Sequence, residues 1–226
     1  MQLPSEVPLM TLPNAILFPD AMLPLYIFEP RYRQMLADAL HSNRMFLVAM
    51  QKPGRKREIP CPVAGLGLIR ASVSRRDGTS HLILQGLARV ELMKTIRYRP
   101  YRVERIRVVE TTGADSLIVN ALSAKVVELV SRRLEKGSSL PVQTLTKLEE
   151  ELIGPGSANL FSVKQVLEYV AKLNNAERLV DLISCTLLSR APERQLILET
   201  SNLEQRLKHL VHFLMGDLER TSQKSS

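Results

Sequence analysis

Tryptophan is absent from this chain, and tyrosine and phenylalanine contribute only five residues each. A platform for stacking nucleic-acid bases is therefore poorly supplied, and aliphatic side chains must build most of the core. The two cysteines, Cys61 and Cys185, lie far apart and form no CxxC pair. They are expected as buried thiols in a reducing cytoplasm, not as a disulfide framework or a metal site. No apolar run approaches the roughly 18 residues that a membrane helix needs. The first dozen residues carry Pro4, Glu6 and Pro8 and no basic start, so no signal peptide is expected there. A cytoplasmic protein without membrane contact follows as the expectation.

Chemistry-bearing constellations are scarce too. His209 and His212 stand three apart on an expected helix, but no third ligand and no HExxH glutamate accompany them, so no metal is expected. Gly65-Leu66-Gly67 lacks the third glycine and the following helix of a dinucleotide fingerprint. A strand that bends or packs closely explains it, and no cofactor is expected. Cys61 and His81 have the chemistry of a nucleophile and base, yet nothing in the sequence places them together. Glu149-Glu150-Glu151 reads as a solvated helix face.

Charge is present in quantity and unevenly placed. Residues 1–110 hold 17 Lys/Arg against 9 Asp/Glu, whereas residues 111–226 hold 14 of each, so the whole net charge of +8 lies in the first half. Such asymmetry marks either an anionic partner or a solvated basic face.

The first half reads as strands and turns. Ala15-Ile16-Leu17-Phe18 is an apolar run between prolines, the pattern of a short strand. Pro30 suits the first turn of a helix carrying Tyr32, Met35, Leu36, Ala39 and Leu40 at helical spacing. Residues 46–50 form a buried-strand candidate, and residues 52–60 a basic loop. Asp77-Gly78, between residues 66–74 and 80–85, predicts a hairpin, because a tight turn needs positive φ. Residues 90–93 and 101–109 complete a small curled sheet or barrel.

Beyond Thr111-Thr112-Gly113 the apolar period becomes helical. Ile118, Leu122, Val126 and Leu129 form one stripe. Ser162 to Gln165 fits a capping box, Asn175 a cap, and Pro192 a first turn. Ser201-Asn202-Leu203-Glu204 fits a second capping box, opening a helix with the stripe Leu203, Leu207, Leu210, Leu214 and Leu218. The reading is an α+β chain: a β-rich piece over residues 1–112, then a helical bundle over 113–226.

The opening Pro8-Leu9-Met10-Thr11-Leu12-Pro13-Asn14-Ala15-Ile16-Leu17-Phe18-Pro19, followed by Glu29-Pro30-Arg31-Tyr32, resembles the start of the Lon protease N-terminal, substrate-binding domain. It resembles still more the bacterial proteins built from that domain alone. Residues 63–67, Asp77-Gly78, residues 85–90, 178–183, 194–200 and 203–207 continue the likeness in order, with Gln85 and Ala88 as departures. The resemblance implies a PUA-like pseudo-barrel before the helical bundle, and a non-enzymatic role in recognising exposed or unfolded polypeptide. It also implies possible partnership with a separate protease or chaperone. No GxxxxGK[ST] phosphate loop is present, and no residue inherits the Ser–Lys dyad of a Lon peptidase module.

On this reading the polypeptide-binding candidates are Leu17, Phe18, Leu23, Leu25, Ile27, Glu29, Arg31 and Tyr32. The alternative is RNA or another phosphate ligand held by Arg55, Lys56, Arg57, Arg75 and Arg76, with Arg97, Arg99, Arg102, Arg105 and Arg107 as further basic residues. Strand alternation places Arg102 and Arg105 on opposite faces, which divides such a patch.

Overall fold

A small closed sheet sorts the strand residues of the first half into inward and outward faces. The structure is a computed structural model describing residues 3–54, 57–114, 116–135, 173 and 175–224. The chain divides into two compact units, Met1–Glu110 and Thr111–Ser226. The first contains β1 (Glu6–Leu12), β2 (Met22–Ile27), α1 (Pro30–Leu40), β3 (Met45–Met50), β4 (Val63–Ser74), β5 (Ser80–Arg97) and β6 (Arg102–Val108).

Strand β5 pairs with β4, β4 with β3, β3 in parallel with β1, β1 with β6, and β6 returns to β5, closing a ring. Val7, Leu9, Leu47, Ala49, Ala64, Leu66 and Val90 fill its interior. Strand β2 pairs only with the first part of β5 among the described strands, so it forms an edge. Pro24 fits there because an edge strand tolerates a missing donor. The expected separate strands at 80–85 and 90–93 are one long β5. Its pairings with β4 and β6 shift register, which bends the strand around the ring.

Residues 15–18 are not a strand, contrary to the expectation from the proline-bounded run. They cross the sheet as an irregular segment, with Leu17 and Phe18 wholly buried. Two glycines admit them: a Cβ at Gly65 would lie 2.1 Å from the Leu17 carbonyl oxygen, and one at Gly86 1.9 Å from that of Phe18. The segment's backbone bonds locally and to the sheet margin, with Ala21 N–H donating to Phe18 and Gly86 N–H to Ala21. The hairpin turn is as expected, with Gly78 at φ +80°.

In the second unit the described helices are α2 (Leu117–Glu135), α3 (Ala176–Leu187), α4 (Ala191–Glu199) and α5 (Leu203–Lys224). The expected Ser162 capping box and the 149–151 acidic run lie outside the described residues. The α5 stripe is as expected over its first four leucines: Leu203, Leu207, Leu210 and Leu214 are buried, and Leu218 is half-buried. On α2 the stripe holds in part. Val126 and Leu129 are buried as expected and Leu122 is half-buried, but Val119 is buried where Ile118 was expected, and Ile118 faces solvent.

Asn175 caps α3, its side chain accepting from Arg178 N–H at 2.9 Å. The α5 cap differs from expectation. Asn202 rather than Ser201 is the cap, its Oδ1 accepting from Gln205 N–H at 3.0 Å. Ser201 is held outside the helix because its carbonyl accepts from Thr112 N–H and from the Arg206 guanidinium. Asn and Ser cap about equally well, so this outside contact decides between them.

Candidate functional site

Strand β2 carries apolar residues on both faces. Register with β5 sets Leu23 opposite Leu84, Leu25 opposite Leu82 and Ile27 opposite Ser80. This parity points inward, where Leu82, Leu84 and Ile27 are buried and Leu23 and Leu25 half-buried. The other parity sets Met22 opposite Gln85, Pro24 opposite Ile83 and Tyr26 opposite His81, with β4 adding Ala71 and Val73. That outward face is apolar and open to solvent. Tyr26 is 46% exposed, Phe28 58%, Val73 67% and Ile83 43%.

The face is hollowed. Pro24, Leu25, Tyr26, Ala71, Val73, His81, Leu82 and Ile83 line a depression of about 410 Å³. Tyr26 stacks between Phe28 and His81, with ring centroids 5.7 Å and 4.8 Å away. The three rings hold one another in place, so the surface is partly preorganised. Contiguous exposed apolar area of this kind marks interaction sites more than solvated sheet.

Of the sequence candidates, Leu25 lines this depression. Leu17, Phe18 and Ile27 are core side chains and cannot touch a ligand on this surface. The reason is pleat parity and the Gly65/Gly86 cradle, neither visible in a one-dimensional pattern. Met22, Tyr26, Phe28, Val73 and Ile83 were missed. The available signal was the Asp77-Gly78 hairpin: pairing strands outward from it puts Val73, His81 and Ile83 together once Leu82 and Leu84 are taken as inward.

Glu29, Arg31 and Tyr32 form a separate cluster at the start of α1. Pro30 occupies the first turn, and Glu29 is the cap residue without a side-chain capping bond. Its carboxylate instead accepts from Arg31 Nε at 2.9 Å, and Arg31 Nη1 lies 2.7 Å from Glu58. The Tyr32 hydroxyl accepts from Thr11 N–H at 3.2 Å and donates toward Glu58 at 3.3 Å. Burial pushes the Tyr32 phenol up to about 12, and the Glu58 carboxylate adds to the rise against the opposing Thr11 bond. Tyr32 thus stays neutral near pH 7.

The basic residues do not form one stripe. Arg55 and Lys56 lie outside the described residues, and Arg57 is exposed on the loop before β4. Arg75 and Arg76 are exposed at the hairpin, where the Arg33 guanidinium packs on Gly78. Bonds from the Thr79 backbone N–H and hydroxyl hold Asp77 below its ordinary range there, with Arg75 and Arg33 adding to the effect. Arg105 pairs with Glu6 and Arg107 with Glu91, so the β6 arginines are largely compensated. Cys61 precedes one end of β4 while His81 pairs at the other, which separates that pair. His209 and His212 both lean on the Phe213 ring. Among the described residues no helix is long and apolar enough to cross a membrane.

Known proteins share this architecture. The N-terminal domain of Mycobacterium avium complex Lon protease superposes with a TM-score of 0.67 at 18% identity, covering 93% of this chain and 98% of that one. The Lon N-terminal domain protein from Xanthomonas campestris superposes at 0.60 with 19% identity, covering 92% and 98%. In sequence, Lon protease of Dictyoglomus thermophilum is 24% identical over 96% of this chain, and Lon protease 2 of Myxococcus xanthus 26% over 94%. The chain spans only about a quarter of the length of these relatives. The family described as the ATP-dependent protease La (LON) substrate-binding domain matches residues 6–215. Because that family model matches residues 6–215, nearly the whole sequence, this chain belongs to the Lon substrate-binding domain family.

Proposed function

We propose that this chain is a non-catalytic recognition module that holds exposed apolar stretches of unfolded or partly folded polypeptide, in the cytoplasm, for a separate protease or chaperone. The observation that carries the reading is the solvent-open cluster of Tyr26, Phe28, Val73 and Ile83 around the 410 Å³ hollow. Membership of the substrate-binding family supports the same role. Edge β2 offers a route for strand addition, but Pro24 removes one donor from that edge. Recognition therefore rests on side chains seated against the sheet face, which tolerates varied client sequences.

The test is fluorescence anisotropy with a labelled, permanently unfolded polypeptide, beside a labelled single-stranded RNA. A V73E/I83E variant alters only solvent-facing positions and should weaken polypeptide binding at least tenfold, about 1.4 kcal/mol. Binding by the unaltered chain should persist as salt rises. Removing charge at Arg57, Arg75 and Arg76 should leave it intact. The opposite pattern would replace this reading with the RNA alternative: RNA bound with a steep salt slope, polypeptide not bound, and both unaffected by V73E/I83E.

A further inference from the structure

A second hollow, of about 310 Å³, shares no lining residue with the apolar one. Arg31 and Tyr32 of α1 line one side with Glu58, and the β5–β6 turn with the start of β6 supplies Tyr98, Arg99 and Arg102 on the other. Three guanidinium groups thus face one carboxylate.

The two sides carry the same chemistry in different states. On the α1 side, an arginine and a tyrosine already hold a carboxylate of the chain itself. Glu58 Oε2 lies 2.7 Å from Arg31 Nη1, and its Oε1 accepts from the Tyr32 hydroxyl at 3.3 Å. On the turn side, Arg102 stands 5.2 Å from the Tyr98 ring centroid, and its described acidic neighbour, Glu104, is 3.8 Å away. Arg99 is exposed and makes no ion pair among the described residues. Tyr98 is 67% exposed, an unusual position for an aromatic ring in a chain that has so few.

We propose that this hollow binds a monoanionic carboxylate borne on a flat apolar body, with Arg99 and Arg102 on the carboxylate and the Tyr98 ring against the body. Arginine matches a carboxylate through paired N–H donors, and a planar group stacks on a tyrosine face. Charge selects a monoanion over a phosphate dianion. Arg31 is already paired with Glu29 and Glu58, and Arg102 has Glu104 at 3.8 Å, so the hollow holds too little uncompensated positive charge to favour a second ligand charge. The volume lies at the lower end for small-ligand sites. It suits a free aromatic acid or the C-terminal aromatic residue of a polypeptide. The site stands independently of the polypeptide reading above.

The test uses the full chain and ligand-observed NMR titration with matched probes. These are N-acetyl-phenylalanine and its amide, a short peptide ending in phenylalanine as free acid and as amide, and inorganic phosphate. At least one acid should bind with about tenfold preference over its amide. Arg99→Gln with Arg102→Gln should abolish that preference, and the paired Lys variants should restore part of it. Binding of the free acid and peptide alike, or of the free acid alone, assigns a small aromatic carboxylate as sufficient. Binding of the peptide acid alone assigns a chain terminus. Equal binding of acids and amides, phosphate bound more tightly than either acid, or no binding by any probe would overturn the proposal. So would an acid preference that survives the double Gln variant in a chain whose amide spectrum shows it folded. The acid–amide comparison needs no substitution, so a folding defect in one variant leaves the proposal testable.

Discussion

Arg206 offers the sharpest energetic test of the second unit. Its side chain is wholly buried on α5, and its Nε donates to the Thr200 carbonyl at 2.9 Å. Nη2 donates to the Ser201 carbonyl and to Thr111 Oγ1, each at 3.2 Å. Nη1 stands 3.5 Å from Glu177 and 3.7 Å from Asp181. Glu177 has solvent access, but the Asp181 side chain is only 5% exposed. Arg206→Met keeps much of the volume and deletes the charge. Asp181 then keeps a buried carboxylate without its guanidinium, and two carbonyls lose donors. Breaking a buried pair from one side costs about 3–5 kcal/mol, a large share of the 5–15 typical of a domain. Adding Asp181→Asn removes the stranded charge, so the double variant should recover roughly 1–3 kcal/mol. With two compact units a single unfolding midpoint is ill defined. The assay is therefore native-state hydrogen exchange at the α3 and α5 amides. A loss below about 1 kcal/mol for Arg206→Met, or strict additivity in the double variant, would refute the buried-hub argument.

The α5 cap predicts that Asn202→Ala costs about 0.5–2 kcal/mol by exchange in the first turn of α5, whereas Ser201→Ala changes little because only its backbone is engaged. Gly86→Ala should destabilise the first unit by roughly 1–3 kcal/mol, read by native-state hydrogen exchange at the β4 and β5 amides, since its Cβ would lie 1.9 Å from a backbone oxygen that has no rotamer to yield. Protection equal to that of the unaltered chain would mean that residues 15–18 do not cross the sheet there. Tyr32 predicts an alkaline effect. With its folded pKa raised from 10.0 to about 12, the folded state holds this proton more tightly than the unfolded one. The resulting stability is complete below about pH 10 and falls as pH rises toward 12. Tyr32→Phe should flatten that part of the stability curve, and ultraviolet titration should show one phenol ionising late.

Local signals were readable wherever one side chain acts on its own backbone. Pro30 and Pro192 at helix starts, Asn175 as a cap, and Asp77-Gly78 as a hairpin depend on neighbours a few residues away. Order of elements was legible for the same reason, as was the α5 stripe, whose five leucines leave one choice of face. Competition between nearby signals was not. Ser201 and Asn202 are equally good caps, and a hydrogen bond from Thr112, 89 positions earlier by number, selected between them.

What the sequence determined by itself was the α+β order, the helical periods and the uneven charge, because these follow from side-chain pattern and local backbone chemistry. Tertiary structure alone decided three things. Ring closure chose which parity of β2 and β5 faces inward, burying Ile27 and exposing Tyr26 and Ile83. Close approach to Gly65 and Gly86 turned an apparent strand at residues 15–18 into a buried crossing segment. The β5–β6 turn with the start of β6 set Tyr98, Arg99 and Arg102 opposite Arg31, Tyr32 and Glu58. In each case the deciding contact joins residues remote in sequence, and a pleated strand with apolar residues on both faces carries no internal mark of which side will be the core.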